Sequence, residues 1–222
     1  MKKILTVSVL LLILTILFPL SACKHETDYS DYVSENRSEV YASDQNDSYL
    51  RAYWSEREYP YTADGIISKK SIYFEVNVSL PDKTRTRNIS FNIGEKKYGG
   101  EMSFDSVSQQ YTYSEGIPCP NENEITFTVT DEENEETLTF TAKRVKTEKT
   151  LSVSSLLSSI AKERMKNIKE YFGTDFNGEI YVRLIYEADK CYYYVGFIGK
   201  DGRCIAFLAD GETAKILAEK TD

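Results

Sequence analysis

Side chains able to do covalent or metal chemistry are few in this chain. Of 222 residues, one is histidine and four are cysteine. His25 stands two residues after Cys23 in a polar stretch, so a folded Ser-His-Asp or Cys-His centre and a histidine-bound zinc are not expected. Cys119, Cys191 and Cys204 lack the Cys-x-x-Cys spacing of a metal or redox site. Ser159-Ile160-Ala161-Lys162 matches the Ser-x-x-Lys of penicillin-binding enzymes, but the companion Ser-Asp-Asn and Lys-Thr-Gly motifs are missing. Glu132, Glu133, Glu135 and Glu136 form an acidic run without the ligand spacing of a calcium loop. No Gly-rich, phosphate-cradling loop is present. The expectation is a protein that is not an enzyme and uses no cofactor or metal. Acidic residues outnumber basic ones, 35 to 27, and no basic stripe occurs, which argues against nucleic acid.

Cys23 has a chemistry of its own. Lys2 and Lys3 precede a charge-free apolar run from Ile4 to Phe18, and small residues follow, the pattern of a secretory signal peptide. At about 15 residues the run is shorter than the roughly 20 that span a bilayer as a helix. Leu20-Ser21-Ala22-Cys23 resembles the lipobox of bacterial lipoproteins. The resemblance implies removal of residues 1–22, lipid on Cys23, and attachment to the extracytoplasmic face of the cell membrane. Stable attachment takes two or more acyl chains, at about 0.8 kcal/mol per buried methylene.

The elements that would be displayed there divide into three parts. Residues 24–65 hold ten acids and four bases, and up to Ser48 almost no aliphatic side chains. Such a composition buries too little apolar surface to offset ordering entropy, so residues 23–65 are expected to form a flexible acidic tether. Leu50, Tyr53 and Trp54 have the spacing of one helical face and predict a short docking helix within 49–62.

Residues 66–147 alternate. Ile72, Phe74, Val76, Val78 and Leu80 interleave with polar residues, as do Ile89, Phe91 and Ile93. Tyr98–Phe104 and Tyr111–Ser114 are weaker strands. Ile125, Phe127 and Val129 interleave with threonines, and after the acidic turn Leu138, Phe140 and Ala142 return. Short strands at regular spacing predict a β-sandwich. The closing pair, Ile125-Thr-Phe-Thr-Val-Thr and Thr137-Leu-Thr-Phe-Thr-Ala, resembles the last hairpin of bacterial immunoglobulin-like domains.

Residues 150–222 read as a helix followed by strands. Leu157, Ile160, Ala161, Met165, Ile168 and Phe172 trace one helical face, with serines at 152, 154 and 155 to cap its start and Gly173 to end it. Strands are expected at 180–187, 191–198 and 203–209. Asp201-Gly202 as a two-residue loop would pair Ile198 with Ile205 and set Gly196 against Phe207. In that register Cys191 and Cys204 lie about 26 Å apart along the strand, too far for a disulfide. The tail Asp210-Gly211-Glu212-Thr213-Ala214 resembles the end of a PepSY domain, whose strand runs into an Asp-x-Glu-Thr-Gly turn and a short last strand. Ala214 stands where that family has glycine, a strained choice if the position needs a positive φ. The resemblance implies a binding or peptidase-restraining module.

The full expectation is thus multi-domain: an all-β immunoglobulin-like sandwich, then a small α+β PepSY-like domain. The partners expected are the membrane through the lipid, an envelope protein or peptidase, and, as an alternative, a glycan stacked on exposed tyrosines. Of the 17 tyrosines, Tyr192 and Tyr194 are the candidate ligand-binding residues, because strand alternation turns part of the Tyr192-Tyr193-Tyr194 run away from the helix.

Overall fold

The computed structural model describes residues 28–58, 64–133, 136–173 and 176–222. Cys23 and the expected leader before it lie outside the described residues, as do residues 59–62 of the expected docking helix. Among the described residues, no helix is long and apolar enough to cross a membrane.

A 3-10 turn, Tyr29–Tyr32, leads into two long strands, β1 (Val33–Gln45) and β2 (Ser48–Glu58). Seven strands follow: β3 (Lys70–Ser79), β4 (Arg87–Ile93), β5 (Lys96–Glu101), β6 (Ser103–Asp105), β7 (Gln110–Glu115), β8 (Glu124–Asp131) and β9 (Thr137–Arg144). Then come helix α1 (Val153–Phe172) and four more strands, β10 (Gly178–Glu187), β11 (Lys190–Gly199), β12 (Cys204–Asp210) and β13 (Ile216–Thr221).

All the strands belong to one sheet, and β1 is its branch point. Along one edge β1 pairs with β2 from Glu35 to Gln45. Along the other edge its first half runs parallel to β10, Val33 to Arg37 against Ile180 to Arg183. Past a bulge between Arg37 and Glu39, Tyr41 and Ala42 pair instead with Arg144 and Lys143 of β9. A bulge bends a strand and raises its twist, which lets one strand serve two curvatures. From the second half of β1 the order β5-β4-β8-β9-β1-β2-β3-β7-β6 curls round a core that includes Tyr41, Leu50, Trp54, Phe74, Phe127 and Phe140. The first half opens into β10-β11-β12-β13, which packs on α1 through a second core.

This corrects the expected fold class. No separate immunoglobulin-like sandwich is followed by an independent α+β domain; among the described residues, one largely β sheet with a single α-helix carries two cores. The strand positions hold, from Lys70–Ser79 to Cys204–Asp210, and so does the helix with Ser152 as its N-cap. The partition fails because the expected tether over 23–65 supplies β1 and β2, the strands both cores share. A count of aliphatic residues undervalues this stretch. Tyr29, Val40 and Tyr41 are buried, and buried acids are matched by distant bases. Glu35, 3% exposed, accepts from Arg183 Nε and Nη2, both at 2.7 Å. Glu39 meets Arg144 at 3.3 Å and Lys146 at 3.5 Å. The Leu50-Tyr53-Trp54 spacing is strand, not helix: Leu50 and Trp54 face one core, and Trp54 Nε1 donates to Ile117 O at 2.9 Å.

At the far end of the curled half, fully buried Asp131 on β8 pairs with Arg87 of β4 (3.2 Å) and with Arg85 (2.7 Å). Removing one member of a buried ion pair strands the other charge, at a cost of about 3–5 kcal/mol. Asp131→Ala should lose about that much in urea unfolding. A loss below about 1 kcal/mol would mean the pair does not hold β4 to β8.

Candidate functional site

α1 covers one face of the β10–β13 sheet. Leu156, Leu157, Ile160, Ala161 and Ile168 are buried against a face that includes Val182, Tyr193, Val195, Phe197 and Phe207. Alternation therefore sends Tyr192, Tyr194 and Gly196 to the opposite face.

The β11–β12 hairpin fixes what lies beside them. Gly199 N–H donates to Arg203 O and Gly202 N–H to Gly199 O, both at 2.9 Å, and Gly202 has φ +79°. The loop is thus three residues, Lys200-Asp201-Gly202, with a left-handed glycine closing it, not the expected two. The register moves by one: Ile198 pairs with Cys204, and Gly196 with Ala206 in place of Phe207. Gly196 is covered by Tyr194 of its own strand, whose hydroxyl and ring atoms would stand 3.1–3.4 Å from a Cβ there.

Tyr194 bounds a groove of about 280 Å³ on this open face, together with Cys204, Ala206, Leu208, Ala218, Lys220 and Asp222. Small side chains on adjacent strands make the depression. Lys220 Nζ meets Asp222 at 3.1 Å beside it. Burial pushes the Tyr194 hydroxyl up, and the Cys204 thiol adds to the effect. The groove reaches β13, which ends the sheet path and has no further strand beyond it among the described residues. Of the two candidate tyrosines, the structure places Tyr194 at this groove. Tyr192 is half-buried on the same strand, opposite Ile185 and Asp210, and is not part of the lining.

The turn before β13 is built on Asp210. Its Oδ1 accepts from Thr213 Oγ1 (2.7 Å), Thr213 N–H (2.9 Å) and Glu212 N–H (3.1 Å). These bonds hold the Asp210 carboxyl below its ordinary value. Ala214 has φ +58°, the left-handed region, where a Cβ costs about 1–2 kcal/mol. Its methyl is buried against the α1 core, which offsets part of that cost.

The short motifs set aside in the sequence have structural surroundings of their own. Ser159 Oγ donates to Ser155 O at 2.9 Å, committing its proton to the helix backbone. Glu132 accepts from Asn88, and no metal-binding cluster of acids, cysteines or histidines occurs among the described residues. Cys119, Cys191 and Cys204 are free thiols, each pushed up by burial.

Sequence reasoning missed a second concavity, of about 340 Å³, lined by Tyr49, Arg51, Tyr53, Gln110, Tyr186 and Glu187. The Arg51 guanidinium stands 5.3 Å from the Tyr49 ring and 5.6 Å from that of Tyr186, and Gln110 Nε2 donates to Tyr49 Oη at 2.7 Å. Tyr186 Oη donates to Asp189, and this bond with burial pushes the phenol up to about 12. The signal was the period-two run Tyr49, Arg51, Tyr53, obscured by reading the same residues with helical spacing.

No family model matches the chain, and no curated protein matches it. Among solved structures, the YpmB protein from Bacillus subtilis matches over 60% of this chain and 82% of its own, with 17% identity and a TM-score of 0.24. That likeness is too slight to carry a functional argument.

One buried acid bears on the arrangement. Glu179, fully buried at the start of β10, accepts from Ser34 Oγ (2.5 Å) and from Gly65 N–H (2.9 Å). Burial raises its pKa, outweighing these bonds, and Glu58 and Asp64 push in the same direction. The folded state therefore holds this proton more tightly than the unfolded chain, so its contribution to stability falls as pH rises from the ordinary glutamate value through the folded one. Glu179→Gln keeps an acceptor for Gly65 without the charge. Thermal melts between pH 4 and 8 should show the variant at least as stable as wild type near pH 7, with a flatter pH profile. A less stable variant at pH 7 would show that the ionised carboxylate is a net stabiliser.

Proposed function

We propose that this chain is a lipid-tethered binding protein on the extracytoplasmic face of the cell membrane, without catalytic activity of its own. Its open-face groove takes an extended apolar segment of an envelope protein, with a peptidase as the partner class. The carrying observation is the groove itself: Tyr194 beside a floor of small residues on Ala206 and Ala218, continuous with the outer strand β13. Such a place offers an apolar bed for side chains and unpaired backbone groups for strand addition. The lipobox-like Cys23 supports the location. The order of helix and strands, with the Asp210 turn, supports the resemblance to PepSY modules and the restraining role it implies.

A second reading, binding of a glycan, is favoured by the Tyr49-Tyr53-Tyr186 concavity, where aromatic faces stand beside Arg51, Gln110 and Glu187. Polar side chains around aromatic rings suit a polyhydroxylated ligand.

Photo-crosslinking in intact cells separates the two. Ala206→Arg and Ala218→Arg fill the groove without touching the α1 core. Either should lower capture of an envelope protein by about tenfold, the equivalent of 1.4 kcal/mol, while melting near the wild-type temperature. Tyr186→Ala should leave that capture unchanged. Undiminished capture by both arginine variants would sink the groove proposal, and loss of cell-wall glycan binding in Tyr186→Ala alone would move the function to the second concavity.

A further inference from the structure

Exposed aliphatic side chains concentrate in one short run. Ile66, Ile67 and Ile72 are 56, 39 and 37% exposed, with exposed Lys69 and Lys70 between them. The backbone that carries them is firmly held. Gly65 N–H donates to Glu179, Ile66 N–H to Asp64 Oδ1 (2.9 Å), and Ser68 N–H to buried Glu58. Gly65 has φ +75° and lies so close to the β11–β12 hairpin that a Cβ would be 2.5 Å from Lys200 N. Two isoleucines are thus fixed outward on an anchored loop, at the expense of the burial that such side chains normally reach.

This loop lies beside the start of β1, five residues after the first described residue, Asp28. Lys70 Nζ donates to Val33 O at 3.2 Å, and Ser34 shares the Glu179 carboxylate with Gly65. Asp28 is only five positions after Cys23, a reach of roughly 17 Å at full extension. A lipid on Cys23 would keep Asp28 within that distance of the bilayer, and the loop beside Val33 five residues of chain further on.

We infer that the Asp64–Lys70 loop is a membrane-contacting element. Ile66 and Ile67 enter the boundary between headgroups and acyl chains, and Lys69, with Lys200 in the neighbouring hairpin, faces anionic phosphates. Three acids at this end have local partners, with Asp28 accepting from Ser30 N–H, Asp64 from Ile66 N–H, and Asp201 pairing with Arg203, while Asp31 is exposed. The inference rests on the lipid tether proposed above. It adds a second point of contact, which sets the orientation of the body on the membrane.

The test uses the full chain, processed and lipidated in a bacterial host, carrying Ile66→Trp. Wild type, whose single tryptophan is the buried Trp54, gives the background. Val107→Trp, at a position 92% exposed between β6 and β7, is the control. On vesicles of phosphatidylglycerol and phosphatidylcholine with brominated acyl chains, the tryptophan at 66 should shift to the blue and be quenched, and that at 107 should do neither. Indistinguishable behaviour at the two positions would overturn the inference, as would a shift at 66 seen only on adding envelope proteins. The mass of the N-terminal peptide reports lipid on Cys23 separately. Should Cys23 be bare, the tether reading fails, and the unlipidated chain is held to the same vesicles by an N-terminal histidine tag on a nickel-chelating lipid. Quenching at 66 there sustains the loop contact on its own, and its absence ends it.

Discussion

The parallel pairing of β1 with β10 is the constraint on which the molecule rests. It joins residues far apart in the chain, Val33–Arg37 with Ile180–Arg183, and is locked by the two-pronged bond from Arg183 to buried Glu35. A carboxylate so buried is tolerable only when paired and hydrogen-bonded. Given that pairing, the helix-backed sheet and the curled sheet must share a strand, and the bulges in β1 absorb the difference in their twist. The positions of the groove, the tyrosine concavity and the Asp64–Lys70 loop all follow from this one junction.

Local pattern was legible in the sequence and long-range pairing was not. Period-two alternation placed β3, β4, β8 and β9, and a 3–4 repeat placed α1, because each reports one buried face over a few residues. The β11–β12 hairpin shows the limit. Asp201-Gly202 marked the turn, but whether two or three residues make the loop depends on the hydrogen bonds of Gly199 and Arg203, and a one-residue change re-aimed the register. β1 was hidden more deeply. Besides Val33 and Val40, its buried positions are Ser34, Glu35, Glu39 and Tyr41, which are bonded to Glu179, Arg183 and Arg144 more than a hundred residues away. Nothing within the segment reveals those partners.

The candidate site divided in the same way. Tyr194 could be proposed from alternation alone, since facing away from α1 is a local property. The groove in front of it could not, because it needs Ala206 and Ala218 from two other strands in the correct register. Ala214 is an intermediate case: a family turn suggested the strain, and a positive φ is what the backbone has. Its methyl against the helix core gives that alanine a packing role that glycine would lack.

The shared strand also sets the order in which the chain can complete itself. β1 and β2 form a hairpin at once, but the outer edge of β1 waits for β9 and then for β10. Ser34 and Glu179 are 145 positions apart. A chain that emerges N-terminus first must therefore hold β1 open until all of those residues have followed. Until then, a bare strand edge is open to pairing with neighbouring chains. The charged residues along that edge, Glu35, Arg37 and Glu39, are the kind that deter such pairing, so the side chains that later cement the junction also guard the nascent chain.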